Sequence, residues 1–258
     1  MSNPSRSVAV CAHRGGAGLA PENTMAAFER AVGLGVDWIE LDVQTCATGE
    51  LVVIHEPDLR RLAGLPDEVA KLSLSELQSV DVGSHFGAGF SSERVPTLAG
   101  VLETFDGRVR FNVEVKEYGI AGDGTARATA SLLASRGMGD RVVVSSYNVF
   151  SLSRVRRAAR GLPIGLVHPP VGGVPGPRRS LRDALLSKPR AARWLKPRVL
   201  LPAHERVTRL SVEAAHARGM EVHAWPVNEA ERMRQLVALG VDVIITDRPD
   251  IAIEIRDS

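Results

Sequence analysis

The run Trp38-Ile39-Glu40-Leu41-Asp42-Val43 places two carboxylates between three aliphatic side chains. Side chains alternate across a strand, so a strand here puts Glu40 and Asp42 on one face and Ile39, Leu41 and Val43 on the other. Phe111-Asn112-Val113-Glu114-Val115-Lys116 repeats the device, with Asn112, Glu114 and Lys116 opposed to Phe111, Val113 and Val115. Three polar residues aimed one way from a single strand are unusual in a packed core, and two strands with the same polarity point to a site on that face.

Outward from these two stretches, short apolar runs alternate with helical patterns. Strands are expected at Val8 to Ala12, Leu51 to Ile54, Arg141 to Val144, Pro163 to Val167, Arg198 to Leu201, Glu221 to Ala224 and Val241 to Thr246. Helices are expected at Thr24 to Leu34, Arg127 to Ser135, Phe150 to Ala159, Val207 to Arg218 and Glu229 to Leu239, with Asn23 or Thr24 available to cap the first. This spacing implies βαβ units and a parallel sheet. About eight units in a chain of this length fit a closed (β/α)₈ TIM barrel, with a doubly wound open sheet as the competing α/β architecture. Composition shows no linker, so residues 1–258 read as one domain.

Two stretches break the rhythm. From Glu56 to Pro96 there is a single short helical pattern, Ser73 to Val80, and the glycine-rich run Gly83 to Gly89, which suggests a small insertion at one end of the sheet. The Pro- and Gly-rich run His168 to Pro177 reads as a loop. Arg178 to Arg198 carries eight Lys/Arg and one acid, Asp183; it is a solvated face or a basic rim for anionic substrate.

Composition narrows the function. The net charge of +2 argues against a general nucleic-acid-coating protein and allows a local positive pocket. Cys11 and Cys46 sit in or beside apolar runs and read as small buried thiols, not a disulfide framework. No run reaches the ~20 apolar residues of a membrane-spanning helix, and no signal-peptide pattern is visible, so stable membrane insertion is not expected and the cytoplasm is the default location. Oligomeric state has no signature in the sequence.

The chemistry concentrates at strand ends. Paired inward carboxylates such as Glu40 and Asp42 are costly unless neutralised. A divalent cation bound through oxygen does this, and a salt-bridged pair is the other reading. Glu114 is placed to complete a metal site, and Lys116 to hold a phosphate oxygen as a point charge. His13-Arg14-Gly15-Gly16 follows the first strand, at the end where (β/α)₈ enzymes carry their sites. Arg14 offers a planar fork for phosphate and His13 a proton carrier near neutral pH. His55 also stands at a strand end, which suits paired acid and base roles. Three carboxylates, two histidines, an arginine and a lysine together describe metal-assisted phosphoryl chemistry.

These residues resemble the glycerophosphodiester phosphodiesterases. The resemblance runs in order through His13-Arg14-Gly15, Pro21-Glu22-Asn23-Thr24, Glu40-Leu41-Asp42, His55, Glu114-Val115-Lys116, Ala224-Trp225-Pro226-Val227-Asn228 and the closing run Gly240 to Pro249. It implies a (β/α)₈ barrel with a small insertion at 56–96 after the second histidine's strand. It implies one divalent cation, Mg²⁺ or Ca²⁺, on Glu40, Asp42 and Glu114; general acid and base roles for His13 and His55; phosphate contacts from Arg14 and Lys116; and Trp225 as a wall of the glycerol pocket. The implied substrate is a small glycerophosphodiester, cleaved to glycerol 3-phosphate and an alcohol.

The chain departs from the family pattern at Glu56, where Asp is usual; at Arg60-Arg61-Leu62, in place of Arg-Thr-Thr; at His85, in place of a Trp; and at Pro226, in place of a Thr. Three rivals remain at this stage. One is lysophospholipase D-type cleavage, and a second is a catalytically silent barrel that binds phosphate esters. The third is an unrelated (β/α)₈ isomerase or synthase. That last class usually holds phosphate on glycines after the seventh and eighth strands, where this chain has Trp225-Pro226 and Asp247-Arg248-Pro249.

Overall fold

The computed structural model describes residues 7–169 and 195–258. Eight parallel strands close into a barrel: β1 (Ala9–Ala12), β2 (Trp38–Thr45), β4 (Arg110–Val115), β5 (Val142–Ser146), β6 (Ile164–His168), β7 (Val199–Pro202), β8 (Glu221–Ala224) and β9 (Val243–Thr246). Closure comes where β1 pairs β9 on one side and β2 on the other. This settles the architecture as a (β/α)₈ barrel and excludes the open sheet. The ninth strand, β3 (Leu51–Val53), runs antiparallel to the far end of β2, beyond the reach of β1.

The period-2 pattern sorts the core into two layers. Ile39, Leu41, Val43, Phe111, Val113 and Val115 face outward into one large apolar cluster with the helices. Those helices include α1 (Met25–Leu34), α4 (Leu98–Phe105), α5 (Thr125–Ser135), α6 (Val149–Ala158), α7 (Arg209–His216), α8 (Ala230–Leu239) and α9 (Pro249–Asp257). Cys11, Trp38, Val143, Val167, Val199, Leu201, Val243 and Ile245 form a separate cluster inside the barrel. Gly165 belongs to this interior: a Cβ there would lie 2.5 Å from Leu201 Cδ1 and 3.1 Å from Val143 Cγ1, so the layer closes only around a glycine. Both cysteines are free and buried, as small apolar side chains.

Between β3 and α4 the chain forms the short helices α2 (Arg60–Ala63) and α3 (Leu74–Ser79) over an apolar cluster of their own, built on Val52, Ile54, Leu59, Val69, Leu77 and Val95. Ser73 starts α3 with a capping box, accepting from Glu76 N while Glu76 accepts from Ser73 N.

Four expectations need correction. Helices α2, α4 and α9 stand where no helix is read from the sequence, α2 being a single turn in a stretch expected to hold only the Ser73 to Val80 helix. Leu98–Phe105 is apolar on most sides, and Ile251, Ile253 and Ile255 alternate like a strand; tertiary packing and the Thr97 and Pro249 starts decide for helix. His168 ends β6 instead of opening a loop. The loop beyond Pro169 and the basic stretch up to Trp194 lie outside the described residues. Among the described residues, no helix is long and apolar enough to cross a membrane.

Candidate active site

Strand register builds the centre of the site. β2 and β4 pair in parallel with Glu40 opposite Asn112 and Asp42 opposite Glu114. Neighbouring strands lie about 4.8 Å apart, so two carboxylates in register and a third two residues away on the same face must converge. Oxygens of Glu40, Asp42 and Glu114 all lie within 4.8 Å of one another. A slip of one residue would turn all three outward.

The electrostatics of this triangle bear on whether it suits a cation. Glu40 and Asp42 are buried, and Glu40 Oε1 has no hydrogen-bond partner. Burial, reinforced by Asp42 and Glu114, pushes the Glu40 carboxyl up to about 8. Burial would also raise Asp42, but Lys116, with His55 and Arg14, outweighs it and holds Asp42 well below the ordinary range. The Lys116 ammonium lies 2.9 Å from Asp42 Oδ1 and 2.6 Å from Glu114 Oε1, with Tyr147 behind it at 5.5 Å to the ring centroid. Lys116 and Arg14 together bring two positive charges to three carboxylates, and neither charged group pairs with Glu40. An orphaned buried carboxylate oxygen in an all-oxygen donor set fits a hard divalent cation.

The residues after β1 wrap over this triangle. Arg14 has φ 51°, a left-handed conformation that costs a non-glycine residue about 1–2 kcal/mol. Gly15 follows at φ 83°, where a Cβ would lie 2.8 Å from both Ala27 and Phe28. The tight turn brings the Arg14 amide onto Glu40 Oε2 (2.9 Å) and the guanidinium onto Glu22 (2.8 Å) and Asp42 (3.3 Å). His13 Nδ1 lies 2.6 Å from Asp247 Oδ1, at the end of β9, while its Nε2 faces Glu40 at 3.9 Å. Burial opposes a charge on His13, but the Asp247 hydrogen bond and the Glu40 charge prevail and raise its pKa. Asp247 is itself held: Asn228 donates to its Oδ2 (2.6 Å) and accepts from its amide (2.9 Å).

His55 stands just beyond β3 with Nδ1 3.1 Å from Glu56 Oε1, a close ion-pair distance but off hydrogen-bond alignment. The run Pro21 to Thr24 now acquires separate tasks. Glu22 takes Arg14; Asn23 donates to Asp42 Oδ2 (2.9 Å) and accepts from its amide (3.3 Å); Thr24 caps α1 by accepting from Ala27 N. Of the two cap candidates, Thr24 is the cap, and Asn23 instead braces a carboxylate of the triangle.

The fold thus joins His13, Arg14, Glu40, Asp42, Glu114 and Lys116 in one connected set of contacts. His55 lies close enough to Asp42 to depress its pKa. Trp225 sits at the end of β8, donating its indole N–H to Leu201 O (2.7 Å) and packing on the inner cluster. Two expected phosphate ligands, Arg14 and Lys116, are turned to carboxylates in this structure. Asp247, Asn228, Glu22, Asn23 and Arg61 are the residues sequence reasoning missed. A strand-end position flags Asp247, and Glu22, Asn23 and Asn228 stand inside runs that carry the family resemblance, but no local pattern gives their partners or singles out Arg61.

Residues 13–251 match the model of the glycerophosphoryl diester phosphodiesterase family. A glycerophosphodiester phosphodiesterase of Caldanaerobacter subterraneus is 34% identical over 247 residues, covering 95% of this chain and 96% of that protein. The glycerophosphodiester phosphodiesterase structure from Agrobacterium tumefaciens superposes with a TM-score of 0.78 at 26% identity, over 95% of this chain and 98% of that one. An Oleispira antarctica phosphodiesterase, solved with the product sn-glycerol-3-phosphate, shares the fold at a TM-score of 0.81 and 24% identity, over 97% of each chain. With the barrel, the carboxylate triangle and the two strand-end histidines in place, the chain belongs to the glycerophosphoryl diester phosphodiesterase family.

Proposed function

We propose that this protein hydrolyses glycerophosphodiesters to glycerol 3-phosphate and an alcohol, with one divalent cation, Mg²⁺ or Ca²⁺, held by Glu40, Asp42 and Glu114. The observation that carries the reading is the buried three-carboxylate set with an unpaired oxygen, next to a histidine whose far nitrogen is bound by a carboxylate. Family membership and the name of the Caldanaerobacter relative agree with it. The cation, when bound, would supply positive charge against the phosphodiester and its developing negative charge.

The residues of the chain do the rest. Asp247 accepts from His13 Nδ1–H, which leaves Nε2 facing the site to move a proton at the reacting oxygen. His55 carries the complementary transfer from the other side, its ring steadied by Glu56. Arg14 and Lys116, now on carboxylates, exchange part of those contacts for phosphate oxygens once substrate and cation arrive. Trp225, with Tyr147, walls the pocket for glycerol. A second reading rests on Tyr118 and Ile120, which are exposed apolar groups on the loop directly after Lys116; a lysophospholipid chain would lie along them.

Release of glycerol 3-phosphate from glycerophosphocholine, with EDTA and then with Mg²⁺ or Ca²⁺ added back, tests the proposal. Release that EDTA abolishes and one cation restores is the expected result. Release unaffected by EDTA overturns the cation. Release of choline from lysophosphatidylcholine, with lysophosphatidic acid as the other product and no glycerol 3-phosphate from glycerophosphocholine, moves the substrate to the second reading, and hydrolysis of neither overturns both.

A further inference from the structure

Arg61 stands on α2, off the barrel, yet its guanidinium is wholly committed to two carboxylates. Nε and one terminal nitrogen donate to the two oxygens of Glu56 (2.9 and 2.6 Å). The terminal nitrogens donate to the two oxygens of Glu22 (2.8 and 2.6 Å). Each carboxylate has a second partner in the site. Glu56 pairs with His55 Nδ1, and Glu22 accepts from Arg14. Hydrogen bonds therefore run Glu56–Arg61–Glu22–Arg14 across the barrel mouth to the turn after β1, and at the other end Glu56 Oε1 lies 3.1 Å from His55 Nδ1, just beyond β3.

An ordinary surface ion pair is worth only about 0–1 kcal/mol, and Arg61 is partly exposed. Two features separate this one from that class. The contact is doubly forked, a geometry that a planar guanidinium provides and an ammonium does not. Its two carboxylates are also the immediate supports of the proposed proton carrier and the proposed phosphate ligand. β1 and β3 pair with β2 at different places and have no ladder with each other, so the Arg61 bridge joins two turns that no backbone pairing links directly.

We propose that Arg61 is a positioning residue for the hydrolysis, holding the His55 ring through Glu56 and the Arg14 guanidinium through Glu22, so that the segment between β3 and α4 is a working part of the active site. The inference rests on the roles given to His55 and Arg14 above. A misplacement of about 1 Å at a reacting group costs on the order of 100-fold in rate.

A double-mutant cycle tests it, with kcat, KM and thermal melting measured for every variant on glycerophosphocholine. Arg61→Ala is expected to lower kcat about 10- to 100-fold with a smaller change in KM, and Arg61→Lys to recover only a fraction. In a Glu22→Ala/Glu56→Ala background the same Arg61→Ala change should cost less than about twofold, because nothing remains for it to brace. Free guanidinium below denaturing concentrations should restore rate to Arg61→Ala and not to the triple variant. Equal losses in both backgrounds, or no loss in the parent, overturn the inference. His55→Ala measured alongside separates the levels: a near-normal rate there overturns the acid–base reading itself, whereas a collapsed His55→Ala beside an unaffected Arg61→Ala overturns only the role of Arg61.

Discussion

Around one arc of the barrel, β2 and β4 turn Glu40, Asp42, Asn112 and Glu114 inward, with His13 at the end of β1 above them; around the opposite arc, β6 and β7 turn in Gly165, Val167, Val199 and Leu201. Both arcs use the same alternation and outward aliphatic faces. They differ only in the inward position. The polar arc bears the desolvation of buried carboxylates and compensates with Lys116, Arg14 and Asn23. The apolar arc has no charge to satisfy and instead packs so closely that one position admits no side chain. The comparison teaches that chemistry here is confined to one side of a barrel whose other side supplies rigidity.

If this division holds, changes in the two arcs should separate activity from stability. The largest effect falls on the histidines. His13→Ala and His55→Ala should each lower kcat about 10²- to 10⁴-fold in the glycerol 3-phosphate release assay, with melting temperature little changed. Near-normal turnover in either would break the assignment of the polar arc. Next comes Asn23, which has φ 56° and braces Asp42. Asn23→Gly removes the side chain and tolerates that backbone, so it should weaken cation binding about 10- to 100-fold in calorimetric titration without unfolding the protein. Wild-type affinity would show that Asp42 needs no such support.

A third test uses pH. In the cation-free protein the Glu40 carboxyl titrates at about 8, so near neutrality it carries a proton that a bound cation must displace. Apparent affinity should therefore be flat above about pH 8 and fall as pH drops, by up to tenfold per unit, with up to one proton released on binding near pH 7. Titration in two buffers of different ionisation enthalpy measures that proton, and zero release would show that Glu40 is already ionised before the cation binds. The smallest effect on turnover belongs to the opposite arc. Gly165→Ala should cost about 1–3 kcal/mol of stability and lower the melting temperature by about 2–4 °C per kcal/mol, leaving kcat of the folded enzyme unchanged. A loss of kcat with an unchanged melting point would erase the distinction between the arcs.

Legibility in the sequence follows the same line. The polar arc announces itself because carboxylates set between aliphatic residues at period 2 must share one buried face, and Glu40, Asp42 and Glu114 stand out on that ground. His13 and His55 are marked by their places at the ends of apolar runs. The supports carry no such mark. Glu22, Asn23 and Arg61 act across separations of up to 39 residues, so although Glu22 and Asn23 stand in a run that carries the family resemblance, no local window shows which groups they brace. Asp247 reaches His13 from 234 residues away, which only barrel closure brings about. Helix α9 is hidden because Ile251, Ile253 and Ile255 mimic a strand, and only Pro249 at its first turn signals otherwise.

The parallel register between β2 and β4 runs unbroken from Trp38↔Arg110 to Val43↔Val115, the longest such seam among the described residues. Two of the three carboxylates in the triangle project from β2 and the third from β4, across this seam. The spacing of the positions that bear them is thus set by the backbone ladder, with side-chain rotamers adjusting the oxygens about it, and it should survive the breathing of the loops above. In deuterium exchange, the amides of Leu41 and Val113 should be among the last to open, while those of the exposed loop Gly119 to Ala121 after β4 exchange early. The donor set for the cation would then persist, correctly spaced, while the groups that grip the substrate come and go.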